Sequence, residues 1–298
     1  MTENLQALSN GLAGLVETVG ASIVRVEARR RHPASGVIIS EDGFIVSTHH
    51  VVERDENIKV GLADGQVLPA TLVGRDASTD LVVLKVDATG LTPARWATVE
   101  SAKVGHLVLA MGRPDVNVQA TLGVVSAVDQ GWRTRAGGDI DAFLQTDVTM
   151  YPGFSGGPLV AADGSFLGIN TSGMMRRVNL TIPSRTVNRV VDMLRSHGHV
   201  RRGFLGISTQ PVRLPNAVAE SAGQETGLLI ASVEANSPAE NSGLYLGDVI
   251  LTLDGVKTRH IDELLGTLSG DRVGKTIPVS VLRGGQMSEV SVTVGERS

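Results

Sequence analysis

From Ser22 the helical period gives way to a period of two, with Ser22–Ala28 alternating and short strands following at Gly36–Ile39, Phe44–Val46, Ile58–Leu62, Val67–Val73, Leu81–Val86, Leu107–Ala110 and Leu122–Val128. Turn sequences such as Glu41-Asp42-Gly43 and Ala63-Asp64-Gly65 separate them. Alternation puts one face of each run toward a core, and many short strands in series predict a sandwich or a barrel. Composition agrees: 35 residues are Gly and only 5 Phe, 2 Tyr and 2 Trp are present, so the core must be built from Val, Leu, Ile and Ala. That β-branched bias favours strands and argues against a helical bundle.

Helical periodicity is confined to a few segments. Leu5, Leu8, Leu12, Leu15 and Val19 share one face of an opening helix that Gly20 stops. A later helix, which Ser184 is placed to cap, carries Val187, Val190, Val191 and Leu194 and is closed by Gly198. At roughly 150 residues per domain, 298 residues suggest about two domains. The polar stretch Ser196–Arg202 is the best boundary, giving units of 1–199 and 200–298. The second reads as a small α+β module with strands at Leu205–Ser208, Leu228–Val233, Val249–Leu253, Ile277–Leu282 and Val290–Val294. Its first helix opens with the capping box Ser237-Pro238-Ala239-Glu240 and ends at Gly243, and its second carries Ile261, Leu264, Leu265 and Leu268.

Several function classes are set aside by what the chain carries. Net charge is −4, and the basic clusters Arg29-Arg30-Arg31 and Arg176-Arg177 are short, unlike the broad footprint of a nucleic-acid binder. They read as solvated loops. Without cysteine there is no disulfide, thiolate zinc site, iron–sulfur cluster or cysteine nucleophile. No His-Glu-x-x-His and no clustered acidic loop suggests a metal, and no cofactor is implied. Gly274-Lys275-Thr276 ends like a phosphate-binding loop, but Ser269 stands where that loop requires Gly and a strand follows. No apolar run approaches the ~18 residues of a membrane span. The expectation is a soluble chain, cytoplasmic as it stands, or periplasmic or otherwise extracytoplasmic if an export segment has been removed.

The sharpest chemical signal is Gly153-Phe154-Ser155-Gly156-Gly157-Pro158-Leu159. A serine between glycines can be held on a tight turn with its hydroxyl exposed, and its small neighbours let backbone N–H groups converge on a substrate oxygen. An ordinary glycine turn is the plainer reading. An α/β-hydrolase elbow would require a helix directly after the serine, and Gly156-Gly157-Pro158 is a poor helix start. A nucleophilic serine needs a base, and the candidates are His32, His49, His50, His106, His197, His199 and His260. The pair His49-His50 ends the strand beginning at Phe44, where packing can fix an imidazole that still faces a cleft. For the carboxylate that orients it, Asp80 stands at the head of the apolar run Leu81-Val82-Val83-Leu84, and Asp76 competes on spacing alone.

In sum these segments resemble the HtrA/Deg family of trypsin-like serine proteases with a C-terminal PDZ domain. The matching stretches are Ser35–Ile39 through Glu41–Val46, Thr48-His49-His50-Val51-Val52, Gly74-Arg75-Asp76 with Thr79-Asp80-Leu81, and Gln145-Thr146-Asp147 with Pro152–Leu159. Ile182-Pro183-Ser184, Gly203–Ile207 and Asn236–Asp254 also match, so the resemblance covers nearly the whole chain in order. It implies a mainly β fold, a chymotrypsin-like double β-barrel followed by a small α+β PDZ domain. It also implies His50 as base, Asp80 as its orienter, Ser155 as nucleophile, and the N–H groups of Gly153 and Ser155 as oxyanion hole. The implied activity is ATP-independent cleavage of unfolded or C-terminally exposed polypeptides, with a catalytically silent peptide-binding scaffold or chaperone as the alternative.

Further expectations follow from the same resemblance. Thr149, six residues before Ser155, falls at the base of the specificity pocket with Leu180 and Ile182 among its walls. An uncharged base predicts cleavage after small or medium aliphatic residues, since a Lys or Arg side chain would be buried unpaired. In the PDZ domain Gly203, Phe204, Leu205, Gly206 and Ile207 would hold a peptide's C-terminal carboxylate and pair its backbone, with Ile261 and Leu265 as apolar wall. The chain departs from the family at His49, Tyr151 and Phe154, where Asn is usual. The bulk of Phe154 bears on how the loop reaches its active arrangement. Family members trimerise through aromatic contacts near the N-terminus. No aromatic precedes Phe44 here, which weakens the expectation of a homotrimer.

Overall fold

The computed structural model describes residues 2–30, 32–98, 101–134, 136–175, 180–268 and 270–296. Arg31 and the pair Arg176-Arg177, read above as solvated loops, lie outside these described residues. The chain divides into two compact units, Met1–Val200 and Arg201–Ser298.

Unit 1 opens with helix α1 (Thr2–Gly20) and continues as two closed barrels. The first joins β1 (Ile23–Glu27), β2 (Ala34–Ile38), β3 (Phe44–Thr48), β6 (Leu81–Val86), β5 (Val67–Asp76) and β4 (Ile58–Gly61), and β1 pairs with β4 to close it. The second joins β10 (Pro158–Ala161), β11 (Phe166–Thr171), β12 (Leu180–Pro183), β9 (Asp139–Thr146), β8 (Gln119–Arg133) and β7 (Leu107–Gly112), closed by β10 on β7. Closure leaves no edge strand in either sheet. Each barrel has its own interior: Val24, Val26, Ile45, Val82 and Leu84 fill the first, and Val108, Ala110, Leu144, Phe154 and Leu167 the second.

A third cluster binds the barrels together, and β6 shows how. Leu81 and Val83 point into the shared core with Leu109, Met111, Ile169 and Ile182, while Val82 and Leu84 point into barrel one. A strand buried on both faces reads as a continuous apolar run, as Leu81–Leu84 does. Helix α2 (Ser184–His197) lays Val187, Val190, Val191 and Leu194 onto the same core. Gly198 ends it in the left-handed region, φ 76°, donating to the Leu194 carbonyl. The cap expected at Ser184 is corrected: Pro183 is the cap residue, and the buried Ser184 hydroxyl donates to the Ala97 carbonyl.

Unit 2 carries β13 (Gly203–Phe204), β14 (Ile207–Arg213), α3 (Asn216–Ala222), β15 (Thr226–Val233), α4 (Pro238–Asn241), β16 (Val249–Leu253), β17 (Val256–Lys257), α5 (Ile261–Thr267), β18 (Thr276–Arg283), β19 (Gln286–Thr293) and β20 (Gly295–Glu296). The main sheet runs β14-β15-β16-β18-β19, so β14 is an edge. Its core includes Leu205, Leu228, Ile230, Leu253, Leu264 and Val279. Ser237 caps α4, accepting from Glu240 N at 3.2 Å, while the Glu240 carboxylate accepts from Asn236 N at 2.6 Å. Asp248, 2% exposed, is met by both ends of the Arg283 guanidinium at 2.8 and 2.7 Å.

Candidate active site

The residues expected as base and orienting carboxylate, His50 and Asp80, both come from barrel one. After β3 the chain makes a single 3₁₀ turn over His49–Val51, pinned by the fully buried Val51 and by Val52 in the core of that barrel. Asp80 enters β6 with φ 56°, a left-handed conformation that Asp tolerates better than bulkier residues. This places its carboxylate against the turn: His50 N donates to Oδ1 at 2.9 Å, and His50 Nδ1 lies 2.8 Å from Oδ2. The backbone doubles the contact, His49 N donating to the Asp80 carbonyl at 2.9 Å. Spacing left Asp76 and Asp80 as rivals, and geometry separates them. Asp76 accepts from Ser78 Oγ at 2.8 Å and Thr79 Oγ1 at 2.6 Å, bracing the turn on which Asp80 sits.

A third donor to Asp80 went unseen in the sequence. Thr171, at the end of β11 in barrel two, donates its hydroxyl to Asp80 Oδ2 at 2.5 Å and accepts from Gly173 N at 2.9 Å. Any Cβ at Gly173 would stand 2.7 Å from His50 Nδ1, so only glycine lets this segment close over the pair. No spacing rule links Thr171 to Asp80, because they belong to different barrels. His49 is distinct from His50. Among the described residues its buried Nδ1 meets no hydrogen-bond partner, and burial, reinforced by the nearby Arg75, pushes its pKa below the ordinary 6.5.

Ser155 comes from the loop between β9 and β10, and its side chain is in contact with that of His50. Its hydroxyl also lies 3.1 Å from Ser172 Oγ. The loop is turned by Gly153 (φ 93°) and Gly156 (φ 86°). A Cβ on Gly156 would stand 2.0 Å from the Ser35 carbonyl oxygen, so a side chain there is excluded by space as well as by conformation. Within the loop the N–H groups of Phe154, Gly156 and Gly157 donate to Tyr151, Asn170 and Phe154 carbonyls. Among the described residues those of Gly153 and Ser155 donate to no backbone carbonyl. Phe154 is fully buried in barrel two and meets Tyr151 edge to face at 5.6 Å.

The other expected site residues fall as follows. Thr149 is exposed, its carbonyl accepting from Thr121 Oγ1, and Leu180 is buried at the start of β12. Ile182 is buried too, packing with Val187 and Ile169 in the core shared by the barrels. In unit 2, Gly203 and Phe204 form β13, Leu205 is core, Gly206 takes φ 77°, and Ile207 opens the edge strand β14. Among the described residues neither Leu205 N–H nor Gly206 N–H donates to a backbone carbonyl. Helix α5 packs against β14, burying Leu264 and leaving Ile261 and Leu265 about 40% exposed, at 42% and 41%. Among the described residues no three His, Asp or Glu side chains converge as a metal would require.

Comparison with known proteins places this geometry. Residues 34–169 match the model of a trypsin-like peptidase domain, and residues 203–294 that of a PDZ domain. The structure superposes on that of the HtrA-type protease AlgW with decapeptide with a TM-score of 0.79 at 30% identity, covering 96% of this chain and 98% of that one. The chain belongs to the HtrA-type protease family. A serine endoprotease structure from Yersinia pestis is similar too, with a TM-score of 0.78 and 32% identity over 95% of this chain and 97% of that one. Among curated relatives, a probable periplasmic serine endoprotease DegP-like of Halomonas elongata is 40% identical over 276 residues, 90% of this chain and 57% of the relative. A protein of the same description from Chlamydia pneumoniae is 36% identical over 268 residues, 88% of this chain and 54% of the relative. The chain therefore spans a little over half the length of these curated relatives. Among the described residues no helix is long and apolar enough to cross a membrane.

Proposed function

We propose that this chain is an ATP-independent serine endopeptidase that cleaves unfolded or C-terminally exposed polypeptides through an acyl-enzyme on Ser155. The observation that carries the reading is the His50 Nδ1 to Asp80 Oδ2 contact of 2.8 Å, made by an imidazole that also touches the Ser155 side chain. With Nδ1 committed to Asp80, Nε2 is the nitrogen left to take the Ser155 proton as Oγ attacks the scissile carbonyl. The Gly153 and Ser155 N–H groups receive the oxygen that becomes negative. His50 then returns its proton to the departing amine, and a water, deprotonated by the same imidazole, hydrolyses the ester.

Specificity and recruitment belong to the same reading. Thr149 carries no charge to pair with Lys or Arg, so cleavage follows Val, Ala or Leu, with Leu180 and Ile182 as pocket walls. In unit 2 the Leu205 and Gly206 N–H groups suit a terminal carboxylate, the β14 edge suits an added strand, and Ile261 and Leu265 offer an apolar wall. Self-association into a trimer through α1 is also proposed, supported by the exposed Leu5 and Leu8 on its first turns. An extracytoplasmic site of action fits the periplasmic naming of the relatives.

A second reading, a peptide-binding scaffold with a silent triad, draws on the Ser155 hydroxyl lying 3.1 Å from Ser172 rather than being held by His50 alone. Digestion of denatured casein decides between them. Fragments ending in aliphatic residues that vanish in Ser155→Ala support the peptidase. Intact casein with the full chain, or Lys and Arg termini, count against the activity and the specificity respectively.

A further inference from the structure

We propose that Arg113 is a positioning residue for catalysis, linking the end of helix α1 through Ser35 to the carbonyl of Gly153 in the oxyanion-binding loop. The inference rests on the assignment of the Gly153 and Ser155 N–H groups above and deepens it.

Arg113 follows β7 and is only 6% exposed. A buried cation ordinarily sits beside a carboxylate. Here, among the described residues, the guanidinium is met by backbone alone, donating from Nε to the Ile23 carbonyl at 2.7 Å, from Nη1 to Val116 at 2.5 Å and from Nη2 to Gly20 at 2.9 Å. The Gly20 carbonyl belongs to the last turn of α1, where unsatisfied carbonyls carry partial negative charge and attract a cation. The helix supplies no basic residue of its own in that turn. Its cap comes from a residue 93 positions further along the chain.

The same residue reaches the site through its backbone. Arg113 N donates to Ser35 Oγ at 2.8 Å, and the Ser35 hydroxyl donates to the Gly153 carbonyl at 2.7 Å. Ser35 N donates to the Ser155 carbonyl at 3.1 Å, and the Ser35 side chain is fully buried. The hydroxyl has one proton, and it is aimed at Gly153 because Arg113 N–H occupies its acceptor side. Holding the Gly153 carbonyl fixes the Gly153–Phe154 peptide, which lies between the two N–H groups assigned to the oxyanion. The N–H end of that peptide is held by the Tyr151 carbonyl at 3.0 Å, and Ser35 holds its carbonyl end, beside a glycine whose φ of 93° does not fix it. Phe154, buried in barrel two, grips the peptide from the other side. Two bonds therefore separate the Arg113 backbone from the loop, and three carbonyls fix where that backbone stands.

The test uses the full chain with Arg113→Ala, Arg113→Lys, Ser35→Ala and Val19→Ala, the last loosening the final turn of α1. The readouts are kcat and KM on a chromogenic peptide, and inhibition by a peptide boronate, whose tetrahedral adduct puts an oxygen where the oxyanion forms, beside the matching peptide acid. We expect Arg113→Ala and Ser35→Ala each to lower kcat about tenfold to a hundredfold, comparable with losing a donor to the oxyanion, with KM within about threefold. Boronate affinity falls in step while peptide-acid affinity holds, and Arg113→Lys lies between. Val19→Ala lowers kcat in the parent chain and adds nothing in Arg113→Ala, as members of one path should behave. Boronate and acid affinities moving together, or losses that multiply, overturn the proposal. If Arg113→Ala does not fold, Ser35→Ala decides alone, since it deletes a single hydroxyl. Ser155→Ala retaining hydrolysis would instead remove the nucleophile assignment itself.

Discussion

Asp80 takes three hydrogen bonds from two barrels, so the imidazole it orients is only as well placed as all three donors. Thr171→Val removes one bond to an ionised oxygen, worth about 1.5–3 kcal/mol, and kcat should fall about tenfold to a hundredfold with KM little changed. Steady-state kinetics check this. His50→Ala or Ser155→Ala should cost roughly 10³-fold or more, because triad members act as a unit. His49 offers a different test. Its pKa is lowered first by burial, so the unfolded chain binds a proton more readily than the folded one. Stability is fully present above the ordinary 6.5 and is lost as pH falls below it toward the folded value. His49→Asn should flatten the dependence of the urea midpoint on pH between about 7 and 5. An unchanged slope would remove His49 as its source. At this scale the residues alone point to Ser155 from its glycines and to the pair His49-His50 from its place after β3, and the family resemblance is what chooses His50 and Asp80. Spacing could not separate Asp80 from Asp76 or find Thr171, because those choices depend on how the turns and the barrel rims meet.

Among elements, the loop carrying Ser155 stands out for being anchored by an aromatic. Phe154→Ala deletes a fully buried ring from barrel two and should cost about 3–5 kcal/mol of unit 1 stability by thermal unfolding, lowering kcat as the loop loosens. Phe154→Leu, which refills most of the volume, should restore much of both. Legibility follows burial here as well. Strands built on unbroken apolar runs, β3 and β6, stand out in the sequence, whereas β9, buried at every second position only, does not. Its outward positions are Asp139, Asp141 and Gln145, poor strand formers whose pattern emerges only with Ile140, Ala142 and Leu144 packed inside. Helix α3 buries none of its side chains and so left no periodic signal. A Cβ on Gly206 would stand 2.2 Å from Ser237 Cβ, the cap of α4, so Gly206→Val should destabilise unit 2 itself.

On the scale of the whole molecule, two units with separate cores should unfold in distinguishable steps. Burial alone would raise the pKa of Asp248, but the Arg283 guanidinium holds it below the usual carboxylate range. Arg283→Met leaves that carboxylate buried without a countercharge, held only by the Tyr245 N–H at 2.8 Å. It should cost roughly 2–4 kcal/mol in the calorimetric transition of unit 2 while leaving that of unit 1 in place. If the proposed trimer forms through α1, Leu5→Glu with Leu8→Glu should lower the mass seen by light scattering to that of one chain. The central claim, that this fold presents an activated serine, is tested most directly by treating the full chain with a fluorophosphonate and locating the adduct by mass spectrometry. The expected result is a single adduct on Ser155, absent when the protein is first denatured and absent in His50→Ala over the same interval. A folded chain that stays unlabelled, or an adduct carried by another residue, would contradict it.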